Sequence, residues 1–199
     1  MFLRFVAVIS LAWAVSGCVT TNQHSLSASD VRSFKLAEVR VNVPIETSVT
    51  WYDAVQEYAQ VKAIPNFELN DATDNDEFKR WIRDRLAVRV KEAMQQHVSG
   101  VLNGTRPVRL EVLVRRFEIS SAIQRIVVGG GYSVAGDVNL VDAKTGAVLA
   151  SYPGLVYVRM AGNGIGGTLV QAAFDASNPP ATALVNGFAE TYRDWLQNK

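Results

Sequence analysis

The chain has 199 residues, with 20 Lys and Arg against 19 Asp and Glu, and its formal net charge of +1 gives no pull toward nucleic acid. Apolar residues make up 48% of it, a composition that belongs to a folded protein and excludes a disordered one. Cys18 is the sole cysteine, which excludes a disulfide within the chain and a cysteine metal centre.

The first segment is an export signal. Met1 to Arg4 carries a positive charge, and Phe5 to Ala14 is apolar apart from Ser10. That run is too short for the roughly 20 apolar residues of a membrane span. Val15, Ser16 and Gly17 then precede Cys18. The stretch resembles the lipobox of diacylated bacterial lipoproteins. The alternative is an ordinary secretory signal with an unrelated cysteine. The resemblance implies that Cys18 becomes the N-terminus and carries a thioether diacylglycerol with palmitate-type chains, each buried CH₂ adding about 0.8 kcal/mol of membrane affinity. It also implies outer-membrane sorting, because Val19 stands where an Asp would favour retention in the inner membrane. Loss of residues 1–17 removes Arg4 and no acid, so the mature chain is neutral.

Residues 18–29 are rich in Thr, Ser, Asn and Gln and predict a tether reaching on the order of 20 Å, with His24 a solvated residue in it. A single domain is expected over residues 30–199. Val39, Val41 and Val43 alternate with polar residues as in a half-buried strand. Phe34 and Leu36 hold the other phase, which calls for a bulge near Ala37 or a strand that starts late, and Pro44 ends the strand. Residues 45–75 carry Trp51, Tyr52, Tyr58, Ile64 and Phe67, too much apolar bulk for a free loop. A packed excursion is expected there, with a short helix near Tyr52 to Val61. Asp71, Asp74, Asp76 and Glu77 lack the glycine of a calcium loop and suit helix capping instead, with Asp74 or Asn75 as the cap.

Asp76 to Val98 reads as a helix, with Phe78, Ile82, Leu86, Val90, Ala93, Met94 and His97 on one stripe. Lys79, Arg80, Arg83 and Arg89 lie off that stripe and form a possible face for an anionic ligand, against the commoner reading of a solvated surface. His97 reads as a packing or capping residue. Val108, Leu110, Val112 and Val114 alternate in a strand over Pro107 to Ile119, and Phe117 and Ile119 reverse the phase, so a bulge is expected at Arg115-Arg116. A strand over Tyr132 to Asp142 follows, then a hairpin turn with Gly146 at positive φ. Val148 to Met160 is the last strand, broken by Pro153-Gly154 as suits a sheet edge.

Two glycine clusters need a physical reading. Gly129 to Gly131 lacks the Lys-Ser/Thr of a phosphate-binding loop. Gly162, Gly164 and Gly167 match a dinucleotide fingerprint literally, yet no strand with an acid about 20 residues on follows. Both clusters are expected to be loops, and no cofactor is expected beyond the lipid on Cys18. A final helix starts at Asn178-Pro179-Pro180, with Leu184, Val185, Phe188, Tyr192, Trp195 and Leu196 on its apolar stripe.

The fold expected is α+β, a four-stranded mixed sheet in the order strand-helix-strand-strand-strand-helix with two helices packed on one face. The lipobox, the Val-rich first strand, the run Val108-Arg-Leu-Glu-Val-Leu-Val and the segment Gly136-Asp-Val-Asn-Leu-Val-Asp-Ala-Lys-Thr-Gly146 resemble uncharacterised proteobacterial outer-membrane lipoprotein families. In layout the fold is similar to the plug lipoprotein of the lipopolysaccharide translocon and to the N-terminal domain of the periplasmic Tol protein. No catalytic residue comes with these resemblances, and no Gly-x-Ser-x-Gly elbow or metal-ligand cluster stands in the sequence. They imply a non-enzymatic lipoprotein on the periplasmic side of the outer membrane, an accessory or scaffold of an envelope complex. Its partners would be the membrane and an envelope protein, without nucleic acid or a small-molecule cofactor. The alternative is a lipid or lipopolysaccharide binder, using the basic face or a groove under residues 45–75.

Overall fold

The computed structural model describes residues 22–121, 131–160 and 179–198. Cys18, Gly129, Gly130 and the Gly162, Gly164 and Gly167 motif lie outside them.

The described chain begins with a short helix, α1 (Ala28–Ser33), started by a capping box in which Ser27 accepts from the Asp30 amide and Asp30 accepts from the Ser27 amide. Strand β1 (Phe34–Asn42) follows. Its register against the next long strand shifts between Leu36 and Glu38. This bulge at Ala37 lets Phe34 and Val39 face the core although they are out of phase in sequence. Residues 45–75 then build three elements: β2 (Ser48–Trp51), α2 (Tyr52–Lys62) and α3 (Leu69–Asp74). Trp51, Ala54, Val55, Tyr58 and Ala72 are buried, so the excursion packs on the domain as expected.

Helix α4 (Asp76–Val98) has the expected bounds. Asn75 Oδ1 accepts from the Phe78 amide at 2.9 Å, and Asp76 and Glu77 sit in the positive first turn. Its buried stripe ends at Val98, while His97 is partly exposed. Strands β3 (Arg106–Ile119), β4 (Gly131–Asp142) and β5 (Val148–Met160) form an antiparallel meander. β3 is bulged between Val114 and Arg116, as the phase reversal requires. Gly146 (φ +75°) closes the β4–β5 hairpin. Helix α5 (Pro180–Leu196) ends the described chain.

The strand order is β1-β3-β4-β5, with β1 parallel to β3. That pairing forces a crossover, and α4 supplies it. The four expected strands are present, and a short fifth, β2, pairs with β3 beyond the end of β1. The main core lies between one sheet face and the helices α4 and α5. Val108, Leu110, Val112 and Val114 of β3 and Val134, Val138 and Leu140 of β4 supply the sheet side. Leu86, Val90, Met94, Leu184, Phe188 and Tyr192 supply the helix side. Gly187 lets α5 settle on β5, since a Cβ there would stand 2.2 Å from the Tyr157 ring.

Candidate functional site

The elements of residues 45–75 cover the first half of α4 incompletely. β2 is short because it pairs only with Arg116 to Ile119, and the chain turns into α2 directly after Trp51. α2 is anchored by Tyr58, whose ring lies 5.1 Å from Phe67, 5.2 Å from Phe78 and 5.3 Å from Trp81. Between β2, α3 and the start of α4 an open groove of about 430 Å³ remains. Val49, Trp51, Val55, Leu69, Phe78 and Ile82 make its apolar walls, and Thr50, Thr73, Lys79 and Arg83 add polar groups. Its size falls within the roughly 300–1,000 Å³ typical of small-molecule sites. This is the groove under residues 45–75 that the sequence pattern allowed.

The four basic residues of the expected anionic-ligand face do not converge. Arg80 and Arg89 are nine residues apart, about 2.5 helical turns, and so point to opposite sides of α4. Arg83 is committed to the backbone. It donates from Nε to the Pro44 carbonyl (3.1 Å), from one terminal nitrogen to Lys79 (2.7 Å) and from the other to Ile45 (2.5 Å) and Thr47 (3.3 Å). Arg89 lies over the Trp51 ring at 5.1 Å, donates to Thr182 Oγ1 at 3.4 Å and stands 3.7 Å from Glu57. Lys79 reaches Asp76 at 3.4 Å from the groove rim, and Arg80 is exposed. As a single open face the set is therefore corrected: two of its guanidiniums hold the fold together.

The acidic cluster is used locally. Asp71 Oδ2 accepts from the Glu68 amide at the start of α3. Glu77 pairs with Lys62 at 2.6 Å, and that contact holds its carboxyl below the usual range. Among the described residues no group of three His, Cys, Asp or Glu could hold a metal ion.

His97 lies 3.6 Å from Glu190 across the α4–α5 contact, with Nε2 buried and without a hydrogen-bond partner among the described residues. His24 departs from its expected solvated state. Its Nε2 stands 3.0 Å from the Trp195 carbonyl, which can only accept, so Nε2 carries the proton. Its ring packs edge-on against Trp195, 4.6 Å between centroids. Trp195 Nε1 also donates to the Asn22 carbonyl. The segment expected as a free tether is thus docked over its described part. The cause is Trp195, which offers an apolar ring and two polar groups to whatever chain passes it.

The sheet face turned away from the helices is a second surface. Arg109 and Glu111 of β3 point there beside Glu38 and Arg40 of β1, with Glu38 opposite Arg109 and Arg40 opposite Glu111. The charges neutralise one another: Arg40 meets Glu38 at 2.8 Å, Arg109 meets Glu111 at 2.7 Å, and Arg115 Nε meets Asp137 at 2.8 Å. Toward the end of β5 the surface becomes apolar, with Val156, Val158 and Met160 46%, 53% and 69% exposed. Among the described strands β5 is an edge of the sheet.

Residues 83–199 match the model of DUF6778, a family of unknown function. The chain belongs to that family. The match begins within α4, so most of the groove's lining, Val49 to Ile82, precedes it. Solved structures are similar at low identity. Protein XCC0632 from Xanthomonas campestris is 15% identical over 84% of this chain and 88% of its own, with a TM-score of 0.40. The PelC dodecamer from Paraburkholderia phytofirmans is 14% identical over 80% of this chain and 88% of its own, with a TM-score of 0.35. Lipoprotein GNA1162 from Neisseria meningitidis is 18% identical over 72% of this chain and 97% of its own, with a TM-score of 0.29. No curated protein matches the chain. No described helix is long and apolar enough to cross a membrane.

Proposed function

We propose that the protein is a non-enzymatic lipoprotein, held by a lipid on Cys18 at the periplasmic face of the outer membrane, where it serves as accessory or scaffold of an envelope protein complex. The observation that carries the reading is the sheet face that the described helices leave uncovered. Both long helices pack on the other side, and β5 leaves a backbone edge beside three exposed apolar side chains. Such edges recruit a partner strand.

The test is a photo-reactive residue in place of Val158 in the full-length lipoprotein in cells. An adduct with one envelope protein, abolished by Val156→Lys, supports the scaffold role. Recovery of uncross-linked protein alone removes it. The groove favours a second reading, an acyl or glycolipid ligand. Ala72→Trp would fill the groove, and loss of co-purifying lipid in that variant would support this reading over the first.

A further inference from the structure

We infer that the corner where Asn22 meets Pro153 and Trp195 is the membrane-facing pole of the domain and rests against lipid headgroups. The inference depends on the lipid anchor at Cys18 and adds an orientation to it.

The chain enters the fold at a fixed point. Trp195 Nε1 donates to the Asn22 carbonyl, the Asn22 side-chain amide donates to the Pro153 carbonyl at 3.4 Å, and Leu26 packs against the core. Cys18 precedes Asn22 by four residues. Four peptide steps span at most about 14 Å however they are arranged. A folded body of about 180 residues has a radius near 20 Å. A sphere of that size on a leash of about 14 Å can roll by roughly 70° before the leash is taut. The opposite pole therefore cannot reach the bilayer while Asn22 stays docked.

The fold shows which pole that is. α5 runs back along β5, with Gly187 under Tyr157 and Trp195 beside Tyr152 at 4.9 Å. Its C-terminus, the end of α4 and α1 gather at the docked corner around a cleft of about 370 Å³. Arg32, Asn103 and Gln197 line that cleft over Val31, Val101 and Leu196. An exposed guanidinium and two amides above an apolar floor suit a phospholipid headgroup. The nearby acid Asp30 is engaged by Ser27. Met160 is seven residues along β5 from Pro153, about 23 Å away, and Ile45 lies by the far end of α4.

The experiment uses the full-length lipidated protein in phosphatidylethanolamine–phosphatidylglycerol vesicles with a headgroup nitroxide quencher. Gln197→Cys and Ile45→Cys variants each carry a fluorophore on a unique thiol, because lipid occupies the sulfur of Cys18, the native cysteine. The label of Gln197→Cys is expected to be quenched several-fold more than that of Ile45→Cys. Equal quenching, or stronger quenching at Ile45→Cys, overturns the orientation. Fractionation of Cys18→Ala separates the two readings. Release of that variant with equal quenching of the two labels leaves the anchor standing and removes the orientation. Retention in membranes removes both.

Discussion

Arg83→Ala tests whether the basic residues of α4 serve a ligand or the fold. Arg83 is the hook that ties the β1–β2 connection to α4. Of the carbonyls it serves, Pro44 keeps a second donor in the Thr47 amide at 3.0 Å, and Lys79 keeps its place in the helix ladder. The uncompensated loss falls on Thr47, which is 5% exposed, whereas the Ile45 carbonyl belongs to an exposed residue and can turn to water. A bond to a charged donor contributes about 1.5–3 kcal/mol, and the guanidinium is half-exposed, so the loss comes to about 2 kcal/mol after screening, most of it at Thr47. For a domain of this size that lowers Tm by roughly 4–8 °C. Arg80→Ala is the control, since Arg80 is exposed and its removal should stay within about 0.5 kcal/mol. Urea melts with matched m-values measure both. If Arg83→Ala loses no more than Arg80→Ala, the hook is not structural. If both variants then lose anion affinity alike, the ligand-face reading returns.

Gly104→Ala would place a Cβ 2.3 Å from the Ser33 carbonyl oxygen and 2.4 Å from that of Arg32. Backbone cannot move aside cheaply, so a loss of about 1–3 kcal/mol is expected, and an unchanged melting curve would refute the contact. Asp142 accepts from the Thr145 and Lys144 amides and pairs with Arg106 at 2.7 Å, and its carboxyl is held well below the usual range, first by the Thr145 amide and then by Arg106. A depressed folded-state pKa stabilises above the unfolded value of about 3.9 and is lost as pH falls further, so Asp142→Asn should lower Tm at pH 7 and flatten its decline below about pH 4. An acid limb as steep as wild type would contradict this. Among the described residues the buried Tyr192 hydroxyl has no hydrogen-bond partner, and burial pushes its pKa upward. Tyr192→Phe should therefore be neutral or gain up to about 1 kcal/mol, and a loss larger than that in denaturant melts would reveal a partner.

Features set by local periodicity were legible in the sequence. The bounds of α4 follow from one cap and one stripe, and the bulges at Ala37 and Arg115 follow from single phase reversals, since a one-residue shift turns every later side chain over. What the sequence hid depends on contacts distant along the chain. β2 is four residues long and is a strand only because Arg116 to Ile119 lies beside it. The basic stripe shows its charges in sequence, whereas three of the four carbonyls that consume Arg83 lie 36 to 39 residues away. His24 and Trp195 are 171 residues apart, and no local pattern links them. The groove was legible only as a surplus of large apolar residues between 45 and 75.

The docking of His24 and Asn22 bears on how the two surfaces would be used. A tether free from Cys18 to Ser29 would let any face of the domain meet the membrane. A chain seated from Asn22 onward removes most of that freedom. With the Trp195 corner toward the bilayer, the apolar end of β5 and the groove beside Trp51 and Phe78 stand toward the opposite pole. Both would then be offered to the periplasm at a height of some 20–40 Å, set by the folded diameter rather than by linker length. A strand-pairing partner would have to approach along β5, and a lipid delivered to the groove would have to leave the bilayer first. Lengthening the chain between Cys18 and Asn22 with a flexible Gly-Ser insert keeps both surfaces intact and abolishes the fixed height. If the cross-link at Val158 survives that insert unchanged, the partner follows the edge strand itself. If the cross-link disappears while Val156 and Met160 are untouched, height above the membrane is part of recognition.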